Sequence, residues 1–182
     1  MNTYQTCLTL LCAVVPAMVA GAGDVTGTVD FAGQAPKMKP IFAMEGNPDC
    51  AQLHGGDYPK YDWLVLGPNQ ELGNVLVRVV DGLPAGATYD VPESPAVLSQ
   101  EGCVYTPHVF VVRAGQPLEI RNPDGFLHNI KALPEKNAQF NKSTQKGHAT
   151  VEVTFDLPEG PFPFKCHVHN RLQTWFPVLD QP

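Results

Sequence analysis

The chain has 182 residues, with 12 Lys and Arg against 18 Asp and Glu and a formal charge of −6. That balance excludes a nucleic-acid binder, whose partner's phosphates demand a basic surface, and the scattered bases form no lipid-binding block. It permits a basic redox partner, and the length suffices for one domain with a real core.

Residues 2–23 carry no charged side chain. An apolar run from Leu8 to Val19 leads into Ala20-Gly21-Ala22, a small-x-small pattern that predicts a cleaved signal peptide over 1–22 and a periplasmic or secreted protein. The run falls short of the ~20 apolar residues of a bilayer span, so no membrane span is expected in the mature chain. An uncleaved anchor is the alternative. A lipid anchor through Cys12 is disfavoured by Leu11, a bulky residue where a lipobox takes a small one.

Beyond the leader the chain reads as strands and turns, because frequent prolines and glycines (18 and 16 in the whole chain) interrupt short apolar runs and helical spacing is absent. Val25 to Phe31 alternates, and Lys37 to Met44 is a weaker strand candidate. Trp63 to Leu66 and Val75 to Val80 flank GPNQELGN and predict a hairpin. Residues 81–95 are a Pro- and Gly-rich connector, so 23–100 reads as an N-terminal β extension packed on a core over 101–182. Two apolar runs over Val104 to Val112 surround Pro107-His108, and Leu118 to Arg121 leads into the loop NPDGFLHN. Asn129 to Leu133 is a strand. Residues 134–148 are polar and irregular, with a short helical turn expected near Asn137 to Phe140. Ala149 to Phe155, Gly160 to Lys165 and Trp175 to Leu179 complete the core. The pattern predicts an all-β antiparallel sandwich or barrel.

Removal of the leader takes Cys7 and Cys12 and leaves Cys50, Cys103 and Cys166. In an oxidising compartment two should pair and the third needs another task. Cys166 stands among histidines in FKCHVHNRL, so the expectation is a Cys50–Cys103 disulfide and a free Cys166 thiolate. A disulfide through Cys166 remains open at this point. A thiolate with two imidazoles suits zinc or copper. Cys166 and His169 are spaced for a tight turn that points both inward. His128, at the end of the NPDGFLHN loop, is the best distant ligand. His167, next to Cys166, should point away, since adjacent residues of an extended segment face opposite sides. His54 and His148 lie in polar loops and read as solvated. His108 reads as a packed, hydrogen-bonded histidine.

The segments GCVYTPHVFVVRAGQPLEIRNPDGFLHNIKAL and FKCHVHNRLQTWFPVLD resemble the plastocyanin-like cupredoxins of bacterial exported proteins. The likeness covers residues 103–179. It implies a Greek-key β-sandwich (cupredoxin-like) with an N-terminal β extension and one copper ion held by His128, Cys166 and His169. It also implies that Asn129 helps hold the thiolate loop and that His108 lies near the site. Relatives with this short loop place a weak axial Met where this chain has Leu172, and Met44 is the last methionine. A non-coordinating Leu172 would leave a trigonal His2Cys site favouring Cu(I). Gln173, one residue on, is the alternative axial donor.

Electron transfer is the leading expectation, with a periplasmic redox protein such as a c-type cytochrome as partner. Phe126, Phe162, Phe164 and Trp175 read as core or rim, and an apolar rim around an exposed His169 edge would suit brief docking. The sequence shows no nucleophile–base triad or phosphate loop, which disfavours an enzyme. The competing readings are copper storage or delivery, an open copper reacting with a small molecule, and a structural zinc or an empty site on the same scaffold.

Overall fold

The computed structural model describes residues 25–145, 150–169 and 173–181. The predicted signal peptide, His148 and Leu172 lie outside the described residues.

Nine short strands form among the described residues. They are β1 (Ala96–Glu101), β2 (Val104–Thr106), β3 (Val112–Arg113), β4 (Pro117–Arg121), β5 (His128–Ala132), β6 (Phe140–Thr144), β7 (Val151–Thr154), β8 (Glu159–Lys165) and β9 (Gln173–Leu179). One sheet runs β2-β1-β4-β7 and the other β3-β9-β8-β5-β6. The chain crosses between the sheets repeatedly, as a Greek-key β-sandwich requires. Alternation decides which side chains face inward: Leu118 and Ile120 from β4, and His128, Ile130 and Ala132 from β5, are buried. The centre is aromatic. Phe155, Phe162, Phe164 and Phe176 pack with ring centroids 4.6–6.1 Å apart, in edge and tilted arrangements favoured by ring quadrupoles. Phe162 and Phe164, expected in the core or at its rim, belong to the core.

The strand pairing differs from the antiparallel expectation. It is mixed, because β1·β4 and β3·β9 run parallel. A parallel pair needs a crossover, and between β1 and β4 the chain visits the opposite sheet through β3. The polar stretch read as irregular contains β6, which pairs with β5 from His128↔Thr144 to Ala132↔Phe140. A polar, Lys-bearing strand suits that position, since it is the edge of its sheet. The helical turn expected near Asn137 to Phe140 is therefore absent.

Before β1 the apolar runs pair through single bridges rather than longer strands. Val25 to Phe31, Lys37 to Met44 and the Trp63–Leu66/Val75–Val80 hairpin give only isolated bridges, at Asp30↔Glu71, Pro40↔Lys60 and Leu66↔Leu72. Val77 and Val80 are exposed, and β-branched residues without a pleated surface to pack on do not make a strand. Instead a 3-10 helix (Phe42–Gly46) precedes a seven-residue helix, α1 (Pro48–His54). Its ends follow the local chemistry. Asn47 Oδ1 accepts from the amides of Asp49 and Cys50 at 3.1 and 3.2 Å, Pro48 opens the first turn, and Gly55 closes it at φ 55°.

This segment is tied to the sandwich at several points. Cys50 and Cys103 form a disulfide with S–S 2.08 Å. His54 lies with Nε2 2.8 Å from the Gly102 carbonyl, so it is a packed group rather than the solvated one expected. His108 Nδ1 meets Asp62 Oδ2 at 2.9 Å, and Gln116 Nε2 donates to Ser94 O at 3.0 Å. No helix among the described residues is long and apolar enough to cross a membrane.

Candidate metal centre

His128 opens β5 with its ring turned into the sandwich, and Cys166 follows β8 directly. Strands β5 and β8 pair at Lys131↔Lys165, which carries Cys166 past the end of the register towards His128. The turn after Cys166 is closed by its own sulfur: the His169 amide donates to Cys166 Sγ at 3.4 Å. His169 is thereby folded back over the thiol. The Nδ1 atoms of His128 and His169 face one another at 2.9 Å, and Cys166 Sγ lies 3.6 Å from His169 Nδ1. The three candidate ligand atoms all lie within 4.8 Å of one another, and all three residues are buried.

Asp124 has no distinguishing mark in the sequence, where NPDGFLHN reads only as a loop. It is buried, and its Oδ2 meets His128 Nε2 at 2.8 Å. Its two oxygens also accept from the amides of Gly102 (2.8 Å) and Cys103 (3.0 Å). A carboxylate can only accept, so in the neutral ring Nε2 of His128 keeps the hydrogen and Nδ1 is left bare. The bare nitrogen faces Cys166 and His169. A carboxylate behind a histidine is the usual arrangement for fixing the tautomer and raising the basicity of a metal ligand.

The electrostatics arise from these contacts. Burial pushes the Cys166 thiol up, but its contacts with the His128 and His169 rings and hydrogen bonds from the amides of Asn129 and His169 bring it down to about 6. Burial would raise Asp124; the bonds from His128, Gly102 and Cys103 outweigh it and hold the carboxyl below its usual range. Burial disfavours a charged His128, yet Asp124 and Cys166 leave it more basic than usual. Tyr105 is raised by burial and then by the nearby Cys166 charge. A sulfur that ionises easily, beside a nitrogen whose tautomer is fixed, is a donor set suited to a soft or borderline cation.

The surrounding groups hold the cluster rigidly. Asn129 Oδ1 accepts from the His167 amide at 3.2 Å, and its Nδ2 donates to Lys142 O at 3.0 Å. The loop carrying the thiol is thus stitched to β5 and β6. Asn122 Nδ2 donates to Phe126 O and Thr144 O at 2.9 and 2.8 Å, closing the loop ahead of His128. A buried polar chain links the sheets at this end. Thr144 Oγ1 donates to Gln100 Oε1 at 2.6 Å, Gln100 Nε2 donates to Tyr105 Oη at 3.2 Å, and Tyr105 Oη donates to Asn129 O at 3.0 Å. Phe126 lies against both imidazoles, with centroids 5.1 and 5.8 Å away.

The other expected site residues fall differently. His167 is exposed. His108 points to Asp62 rather than to the cluster, while its carbonyl accepts from Trp175 N and Thr174 Oγ1. Gln173 is half-buried and lines a groove of about 560 Å³ with Tyr61, Trp63 and His108. His169 is only 8% exposed, so the exposed edge expected of it is absent. Its ring lies among several groups: the Phe126 and His128 rings, with centroids 5.8 and 4.7 Å away, and the disulfide, whose Cys50 Sγ and Cys103 Sγ lie within 4.8 Å of a His169 ring nitrogen.

No protein-family model and no curated protein matches the chain. Similar solved structures include amicyanin from Paracoccus versutus, at 20% identity over 50% of this chain and 86% of that one, with a TM-score of 0.42. A purple cupredoxin from Nitrosopumilus maritimus matches at 20% identity over 46% of this chain and 99% of that one, with a TM-score of 0.39. A Cu-containing nitrite reductase (NirK) from Thermus scotoductus SA-01 matches at 20% identity and a TM-score of 0.43, over 56% of this chain but only 26% of that one. The case for a metal rests on the side chains themselves.

Proposed function

We propose that this is an exported mononuclear copper protein that carries electrons through a site formed by His128, Cys166 and His169. The observation that carries the reading is the convergence of three buried soft or borderline donors within 4.8 Å. His128, moreover, is held in its ligating tautomer by Asp124. Copper would supply a one-electron couple. The chain's part is to keep the donor geometry the same in both oxidation states, which the Asn129, Asn122 and Gln100 bonds do by anchoring each ligand segment to the sheets. Burial of the three donors keeps water from completing the coordination sphere of an oxidised ion. Because the His169 edge is covered, a redox partner such as a c-type cytochrome would approach past Leu127 and Val168. These exposed apolar residues adjoin His128 and His169.

Loading with Cu(II) should give an intense visible thiolate charge-transfer band and the electron paramagnetic resonance signal of a covalent Cu–S bond. Cys166→Ser should abolish both. A colourless Cu(II) complex, or zinc outcompeting copper, would overturn the reading.

The burial of His169 favours a second reading, copper holding or delivery, because it restricts access to the ion. Rapid reduction of the loaded protein by a c-type cytochrome would argue against it.

A further inference from the structure

The Cys50–Cys103 disulfide is more than a staple at this position. Its two sulfurs and a ring nitrogen of His169 lie within 4.8 Å of one another, and all three residues are buried. Cys103 Sγ is also within 4.8 Å of ligating atoms of Asp124 and His128. A disulfide placed only to tie α1 to the β1–β2 turn has no need of imidazole neighbours.

We infer that the disulfide masks a second soft-metal site, made of Cys50, Cys103 and His169, which opens when the bond is reduced. The step balances with a dithiol or phosphine reductant. Two electrons break the S–S bond, each sulfur takes a proton, and the reductant becomes its own disulfide or phosphine oxide, with water supplying the oxygen in the phosphine case. Each thiol then gives up its proton as it binds the cation. Two thiolates on one tetrahedral ion stand about 3.8 Å apart, and a thiolate and an imidazole slightly less. The sulfurs, now 2.08 Å apart, need only separate within their present surroundings, and His169 is already in range. Asp124 or water would take the fourth position. The cation fitting this set is a d10 ion such as Zn(II), Cd(II) or Cu(I). Since His169 belongs to both donor sets, filling the second site would withdraw a ligand from the first. The inference rests on the proposed function only in giving His169 a metal-binding role.

The test uses the full chain carrying Cys166→Ser, which removes the thiolate of the first site, with Cd(II) as the probe. The oxidised protein should show no Cd–thiolate ultraviolet band. After phosphine reduction a band with the intensity of two thiolates per Cd should appear, and the affinity should rise more than about tenfold. Adding His169→Ala should cost more than about tenfold in affinity, since loss of even an outer partner of a ligand costs about that much. Near-ultraviolet circular dichroism should report a folded Cd complex. The inference is overturned if reduction brings no band, or if His169→Ala leaves the affinity unchanged. It is also overturned if binding is equally tight in denaturant, where any dithiol would chelate, or if the Cd complex is unfolded. The copper colour of the oxidised wild-type chain is read separately, with this disulfide closed, so either conclusion can fail without the other.

Discussion

Asp124 does three jobs with two oxygens: it fixes the His128 tautomer and accepts the amides of Gly102 and Cys103. Asp124→Asn keeps the shape but removes the charge and one acceptor. Copper affinity should fall about 10–100-fold. The loss should be larger for Cu(II) than for Cu(I), because a less basic imidazole stabilises the higher charge less, so the reduction potential should rise. A redox titration of the variant checks the sign, and an unchanged potential would reduce Asp124 to a structural anchor. Cys166, His128 and His169 stand out in the sequence as candidates because thiol and imidazole are scarce residue types. Asp124 does not, since a carboxylate in an NPDG turn is ordinarily solvated and only the fold buries it. The burial of His169 is equally invisible there: part of its cover comes from Cys50, far away along the chain.

At the scale of elements, Glu159 shows how a strand end can organise a loop. Its carboxylate accepts from the amides of Glu135, Lys136 and Asn137 at 2.8, 3.2 and 3.3 Å and from Asn137 Nδ2 at 2.6 Å. Burial raises its pKa, but these donors outweigh that and hold the carboxyl below its usual range. Glu159→Gln should cost about 1–3 kcal/mol in denaturant unfolding, the cost of taking the charged acceptor from these part-buried amides. A depressed folded pKa stabilises above the unfolded value of about 4.3, and that stability is lost as pH falls through the folded value. The gap between wild type and variant should therefore be full at neutral pH and close in acid. Among elements, period-two runs such as β7 and β8 are legible in the sequence, because burial of one face dictates alternation. Helix α1 is announced by Asn47, Pro48 and Gly55, but it is too short to carry a helical period. β1 is hidden in the margin of a Pro-rich connector, and β6 by its polar side chains.

Across the molecule, residues 25–95 supply little regular structure yet are joined to the sandwich beside the candidate site. Removing the link by a Cys50→Ala/Cys103→Ala double substitution should cost about 2–5 kcal/mol, measured as a lower midpoint in urea. Amide hydrogen exchange should quicken first at Gly102 and Cys103, whose N–H groups bond Asp124. The sandwich as a whole is readable from the spacing of turns. The mixture of parallel and antiparallel pairs is not, since strand direction depends on crossovers that leave no local mark. The order of the three cysteines along the chain carries one more consequence. During synthesis Cys50 and Cys103 leave the ribosome before Cys166 exists outside it. On the proposed export route, the two partners can find each other before the Cys166 thiol is there to compete. On that route the sulfur that the proposed site keeps unoxidised arrives last, so vectorial synthesis guards it against pairing with either of them.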